Sequence, residues 1–157
     1  MEIAVRRLSQ GDESTLVDIV RHHKARAIGL EYATQLLANP LNFLLVAEQH
    51  QHPVGFVWGY LLQPLDRDKH PLFVYEVDVS ADARRQGVGT SLMHFIAAYT
   101  KEHSLIEAFV LTDSDNLAAQ ALYESTGATK AAVAMPHNLR YALCQQFEQP
   151  DSNAPAD

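Results

Sequence analysis

Cysteine is almost absent: Cys144 is the only one in the chain. That excludes a disulfide framework, a cysteine-ligated metal centre or a redox pair within the chain. Positive charge is in deficit too. Twelve Lys and Arg stand against nineteen Asp and Glu, a formal net charge of −7. This balance argues against a nucleic-acid surface and suits a cationic substrate or plain solubility. No apolar run is long enough to span a membrane, and residues 1–7 lack a signal-peptide pattern. The expected location is cytoplasmic, with no membrane partner. A Walker phosphate loop is missing, and so is the third glycine of a dinucleotide fingerprint, where Leu92 stands instead. His50-x-His52 has the spacing of a metal pair but no third ligand, so no metal is expected.

What remains is a globular composition: 157 residues, 47% hydrophobic and 20% charged. That length suits one domain with a core of its own, here expected over residues 1–148. Residues 149–157 hold two prolines, two aspartates and little apolar content, which reads as a disordered tail. Periodicity predicts strands at 3–8, 43–48, 54–62, 72–79 and 106–112, and a terminal hairpin of 129–135 with 140–147. It predicts helices at 12–23, 30–38, 91–103 and 117–126. Ser9, Asp12 and Ser14 are cap candidates for the first helix, and Gly127 a stop for the last. The order is β-α-α-β-β-β-α-β-α-β-β.

Between the 72–79 strand and the next helix lies Arg84-Arg85-Gln86-Gly87-Val88-Gly89-Thr90. Glycines let backbone approach a ligand closely, and the first amides of a helix have no internal acceptor. Such a turn suits phosphate oxygens, and equally it could be a purely structural reversal between strand and helix. Downstream runs Asn116-x-x-Ala119-x-x-Leu122-Tyr123-x-x-x-Gly127. On a helix, Asn116 and Tyr123 fall on one side, about 10 Å apart along the axis, with small Ala119 between them. That side suits an extended ligand arm, and a tyrosine hydroxyl can donate to a departing thiolate. Equally, Asn116 could cap the helix and Tyr123 pack in the core. In Tyr75-Glu76-Val77-Asp78-Val79, alternation puts Glu76 and Asp78 on one face and Tyr75, Val77 and Val79 on the other.

The two motifs together resemble the GNAT superfamily of acetyl-CoA-dependent N-acetyltransferases over residues 3–147. The resemblance implies an α/β (α+β) GNAT fold. Its sheet would be mixed but mostly antiparallel, with about seven strands splayed at the CoA site and about four flanking helices. It implies that Arg84, Arg85, Gln86, Gly87, Val88, Gly89 and Thr90 hold the CoA pyrophosphate, and that Val77 and Val79 align the arm through main-chain hydrogen bonds. Asn116 and Ala119 would line the same site, and Tyr123 would protonate the CoA thiolate. The acidic strand would border the acceptor. Glu76 is then the natural general base for an acceptor ammonium, and Asp78 shares that role or orients the substrate. Asp113 and Asp115 would reach the same end of the sheet to hold cationic groups. Cys144, read as a buried structural thiol, favours direct attack in a ternary complex over an acetyl-cysteine intermediate.

Within the superfamily, residues 60–89 are most similar to the gentamicin-type aminoglycoside 3-N-acetyltransferases, a family of antibiotic-resistance enzymes. The shared features are the loop before Leu72, the acid after Tyr75, and Arg84-Arg85-Gln86-Gly87. Residues 12–38 are shorter than in that branch, residues 134–139 lack its acidic stretch, and Ala128 replaces an aromatic residue. His137 sits in the expected hairpin turn. Alternative acceptors are a protein N-terminus, a lysine or a small polyamine. A further alternative is a non-catalytic acetyl-CoA sensor. A homodimer is compatible with the resemblance, since members of the superfamily are often dimers.

Overall fold

A computed structural model of the chain describes residues 2–131 and 138–145. The chain runs β1 (Ala4–Arg7), α1 (Glu13–Lys24), α2 (Leu30–Ala38), β2 (Asn42–Gln49), β3 (His52–Leu61), β4 (Leu72–Val79), α3 (Val88–Glu102), β5 (Glu107–Asp113), α4 (Leu117–Ser125), β6 (Thr129–Lys130) and β7 (Asn138–Gln145). The order of elements is the one read from the sequence, with a single 3₁₀ turn added at Ala81–Ala83.

All seven strands form one sheet in the order β1-β2-β3-β4-β5-β7-β6. Every pairing is antiparallel except β4 with β5. The result is a mixed α/β GNAT fold with an open sheet. On one face, α3 packs Val88, Leu92, Met93 and Ile96 against Leu45, Val57, Leu72, Val74, Ala108 and Val110. On the other, α1 and α2 bury Leu16, Ile19 and Ala33 against Leu44, Val46 and Phe56. The sheet is therefore the middle layer, buried from both sides along β2 and β3.

β4 and β5 pair only at Leu72↔Ala108, Phe73↔Phe109 and Val74↔Val110. Beyond Val74 the parallel strands part, while β4 stays paired with β3 up to Val79. This leaves one edge of β4 open next to the glycine turn.

Several expectations are corrected. The helix expected at 91–103 begins earlier, at Val88, so Gly89 and Thr90 already lie in its first turn. The strand expected over 129–135 is described only at Thr129–Lys130. Tyr75 does not share a face with Val77 and Val79. Trp58 pairs with Glu76 but Gly59 pairs with Val74, so Tyr75 is an extra residue, a β-bulge. Its ring joins Tyr60 and Phe73 on the opposite face. The bulge turns the strand over. Leu72 and Val74 face the α3 core, and Val77 and Val79 continue that face. Glu76 and Asp78 are thereby delivered to the α1 side.

The β2–β3 hairpin turns on His50 and Gln51, both with positive φ (51° and 65°), and His52 and Pro53 already belong to β3. Asp12 occupies the N-cap position of α1, yet its side chain makes no capping bond to that helix. It binds Arg6 and the Ser9 amide instead. Gly127 does close α4. The Ala128 amide donates to Tyr123 O and the Gly127 amide to Glu124 O, with Gly127 at φ 86°, a Schellman motif. The expectations for His137, the Cys144 side chain and the 149–157 tail fall outside the described residues.

Candidate active site

Where β4 and β5 part, a cleft of about 520 Å³ opens between β4, the glycine turn, α3 and α4. The glycine turn forms one end. Arg85 and Gly87 both take left-handed backbone, at φ 58° and 88°, which reverses the chain into α3. The Ser91 amide is the first to find a carbonyl, that of Gly87, at 2.9 Å. The amides of Val88, Gly89 and Thr90 before it are the helix's unsatisfied donors, and all three residues line the cleft. Arg84 and Arg85 line it as well, so backbone dipole and side-chain charge favour an anion at the same place. The two glycines serve different needs. Gly87 supplies the positive φ, whereas a Cβ on Gly89 would sit 3.0 Å from Leu122 Cδ2, so Gly89 lets α3 approach α4.

Gln86 is different. Its Nε2 donates back to Asp82 O at 2.7 Å, and it does not line the cleft. The Arg84 Nε donates to Val79 O at 3.1 Å, which pins the turn to the end of β4.

Asn116, Ala119 and Tyr123 line the far wall on α4. Both readings of Asn116 hold, because its side chain caps α4 by accepting from the Ala119 amide at 3.1 Å while facing the cleft. Tyr123 likewise packs in the core, 5% exposed, with its ring 5.6 Å from that of Tyr141. Tyr141 spends its hydroxyl on Glu124, at 2.9 Å. The Tyr123 hydroxyl has no such partner among the described residues. Burial alone pushes it up to about 12, so it stays protonated at neutral pH and has a proton to donate.

On the β4 wall, Val77, Asp78 and Val79 line the cleft. Glu76 does not. It borders a neighbouring apolar groove of about 200 Å³, whose walls include Leu16, Ile19, Val20, Trp58 and Tyr75. Each acid has a partner that sequence reading missed, and both come from the last turn of α1. Lys24 forms an ion pair with Glu76, and His23 Nδ1 lies 2.8 Å from Asp78 Oδ2. Asp78 Oδ1 also accepts the Val79 amide at 2.9 Å, so both main-chain groups of Val79 are already engaged. Asp113 and Asp115 are exposed at the β5–α4 connection, outside both hollows. Among the described residues no group of three His, Cys, Asp or Glu could hold a metal. No described helix is long and apolar enough to cross a membrane.

The geometry meets an independent likeness to known proteins. The chain is 32% identical over 116 residues to the L-2,4-diaminobutyric acid acetyltransferase of Nocardia farcinica, and 31% identical over 91 residues to the probable N-acetyltransferase camello of Xenopus laevis. These matches take in 72% and 58% of this chain, but only 55% and 40% of those longer proteins. Among solved structures, an aminoglycoside acetyltransferase from an uncultured soil metagenomic sample superposes with a TM-score of 0.76. It is 23% identical, over 86% of this chain and 95% of that one, in a complex with trehalose, and a sisomicin complex matches equally well. The ribosomal-protein-alanine N-acetyltransferase of Brucella melitensis follows at 0.67 and 21% identity, over 85% and 96% of the two chains. At these identities the structures speak for the fold. The helix start, the parted strand pair and the buried tyrosine all lie within residues 9–128, which match the acetyltransferase (GNAT) family, and on that match the chain belongs to that family.

Proposed function

We propose that this chain transfers the acetyl group of acetyl-CoA to a primary amine, and that the acceptor is an aminoglycoside, with the 3-N amine as its target. One observation carries the reading. The gap between β4 and β5 joins the unsatisfied amides of residues 88–90 at one end to the unpartnered Tyr123 hydroxyl at its wall. The residues present fit the cosubstrate: donors and two arginines for a pyrophosphate, and a cleft running between β4 and α4 for an extended arm. Acetyl-CoA supplies the activated acetyl thioester. The chain's own residues bind it, hold the acceptor, remove an ammonium proton at Glu76 and offer the Tyr123 proton to the leaving sulfur. Asp78 and Glu76 on the α1 side favour a cationic acceptor. The structural likeness to aminoglycoside acetyltransferases supports the acceptor class.

A second reading, a small diamine or polyamine, draws on Lys24. Its ammonium already neutralises Glu76, and Asp113 and Asp115 stand away from the cleft, so fewer free carboxylates meet a polycation. The relative named for diaminobutyric acid supports it.

The test is CoA release across a panel of gentamicin, sisomicin, 2,4-diaminobutyrate, spermidine and an alanine-initiated peptide. Turnover of an aminoglycoside with acetylation at the 3-amine is the expected result. Turnover confined to diaminobutyrate or spermidine would replace that acceptor with the second reading. Glu76→Gln should lower kcat at least about tenfold with the productive acceptor.

A further inference from the structure

His23 is a buried titratable group to which the reaction above gives no role. Its side chain is 1% exposed. The ring packs edge-on against Phe56, with centroids 5.0 Å apart. Nδ1 reaches Asp78 Oδ2 at 2.8 Å, while Nε2 is buried with no partner among the described residues. This asymmetry places the proton. A hydrogen on Nε2 would be a buried donor without an acceptor, and an imidazolium would carry the same orphan. The neutral tautomer with the proton on Nδ1 leaves only a lone pair unsatisfied, and it donates to the carboxylate.

Asp78 is then held from two directions. Oδ2 accepts from His23, and Oδ1 accepts the amide of Val79. The carboxylate keeps its remaining lone pairs and is partly exposed. It borders both the main cleft and a hollow of about 370 Å³ beneath the end of α1. Two such bonds fix where the carboxylate points. Glu76 is held differently, by a half-exposed lysine free to swing away.

We propose that His23, as the Nδ1–H tautomer, is a positioning residue that holds the Asp78 carboxylate in place for the acceptor ammonium, leaving proton removal to Glu76. The proposal rests on the amine-acetylating reading above. It divides the two acids by what holds them, one locked and one releasable.

The experiment pairs a spectrum with kinetics. Long-range ¹H–¹⁵N spectra of protein labelled at histidine nitrogen, near neutral pH, should show a neutral Nδ1–H ring that vanishes in His23→Asn, separate from that of His70, whose Nδ1 donates to Leu62 O at 2.7 Å. His23→Leu keeps apolar volume against Phe56 but removes the donor. It should raise the KM of sisomicin, or of whichever panel amine wild type turns over fastest, about tenfold. The Kd of acetyl-CoA should hold and kcat should fall less than about threefold. His23→Asn returns a donor near the Nδ1 position and should restore most of the acceptor KM. An Nε2–H or imidazolium pattern for the ring that His23→Asn removes overturns the proposal. So do equal effects of the Leu and Asn variants, which would mark a packing role. If wild type acetylates no amine, the functional reading fails and the positioning role with it, while the spectrum still reports the tautomer independently.

Discussion

Burial alone raises the Tyr123 hydroxyl to about 12, and that value limits how it can act. A free thiol titrates near 8.5, so complete transfer from this tyrosine to a thiolate is uphill by about 3 to 4 units, or about 5 kcal/mol. In the proposed reaction the hydroxyl would therefore serve first as a hydrogen-bond donor to charge building on sulfur. Tyr123→Phe should lower kcat at least about tenfold and leave acetyl-CoA affinity nearly unchanged, which single-turnover and binding measurements separate. The same shift has a stability consequence. An unfolded tyrosine titrates near 10. The native state holds its proton more tightly, so the contribution is fully present below about pH 10 and disappears as pH rises through about 12. Two units correspond to about 3 kcal/mol. Denaturation of wild type against Tyr123→Phe should show this extra loss in that window alone. Parallel curves would assign the alkaline transition to other groups, Tyr141 among them, which burial and its bond to Glu124 push up as well.

Among the elements, β4 does most to organise the site. Its limits, Leu72–Val79, are those read from the sequence, because a run of branched and aromatic residues ends at the Ser-Ala-Asp turn. Alternation also put Glu76 and Asp78 together correctly. The bulge at Tyr75 was not legible, since no proline or glycine in β4 marks it. Its trace lies across the ladder in Gly59, where an added Cβ would meet Phe73 O at 2.7 Å. Gly59→Ala should accordingly destabilise the protein by about 1–3 kcal/mol and reduce acetyl transfer beyond that loss, as Glu76 moves. A chemical-denaturation midpoint and a specific activity on the folded fraction check both parts, and a wild-type midpoint would deny the close approach. The start of α3 was misread for a related reason. Glycine at 89 argues against helix interior by propensity, but packing against Leu122 needs the missing side chain there. His23 and Lys24 escaped notice because their partners lie 55 and 52 residues away, and no local pattern encodes such a pairing. That Asn116, Ala119 and Tyr123 share one wall was legible because one helix carries them all.

At the scale of the whole molecule, the sheet separates two apolar clusters and gives each face its own task. The α3 and α4 side meets the cleft beside the glycine turn, and the α1 side supplies the partners of Glu76 and Asp78. A net charge of −7 should draw a polycationic acceptor toward the molecule through solution as well as at contact. Raising ionic strength from about 0.05 M to about 0.5 M shortens the screening length several-fold. It should therefore raise the KM of a multiply charged aminoglycoside much more than that of a monoamine. Equal responses would remove long-range attraction from the account.

The central claim is that the gap between β4 and β5, with the unsatisfied amides of residues 88–90 at its end, is the acetyl-CoA site. Calorimetric titration of acetyl-CoA into wild type and Gly87→Val tests it most directly, because a side chain at φ 88° distorts the turn that presents those amides. The account predicts one acetyl-CoA bound per chain and an affinity loss of at least about tenfold in the variant, a difference of about 1.4 kcal/mol. Absence of binding to the folded wild type, or equal affinity in a folded Gly87→Val protein, would contradict it.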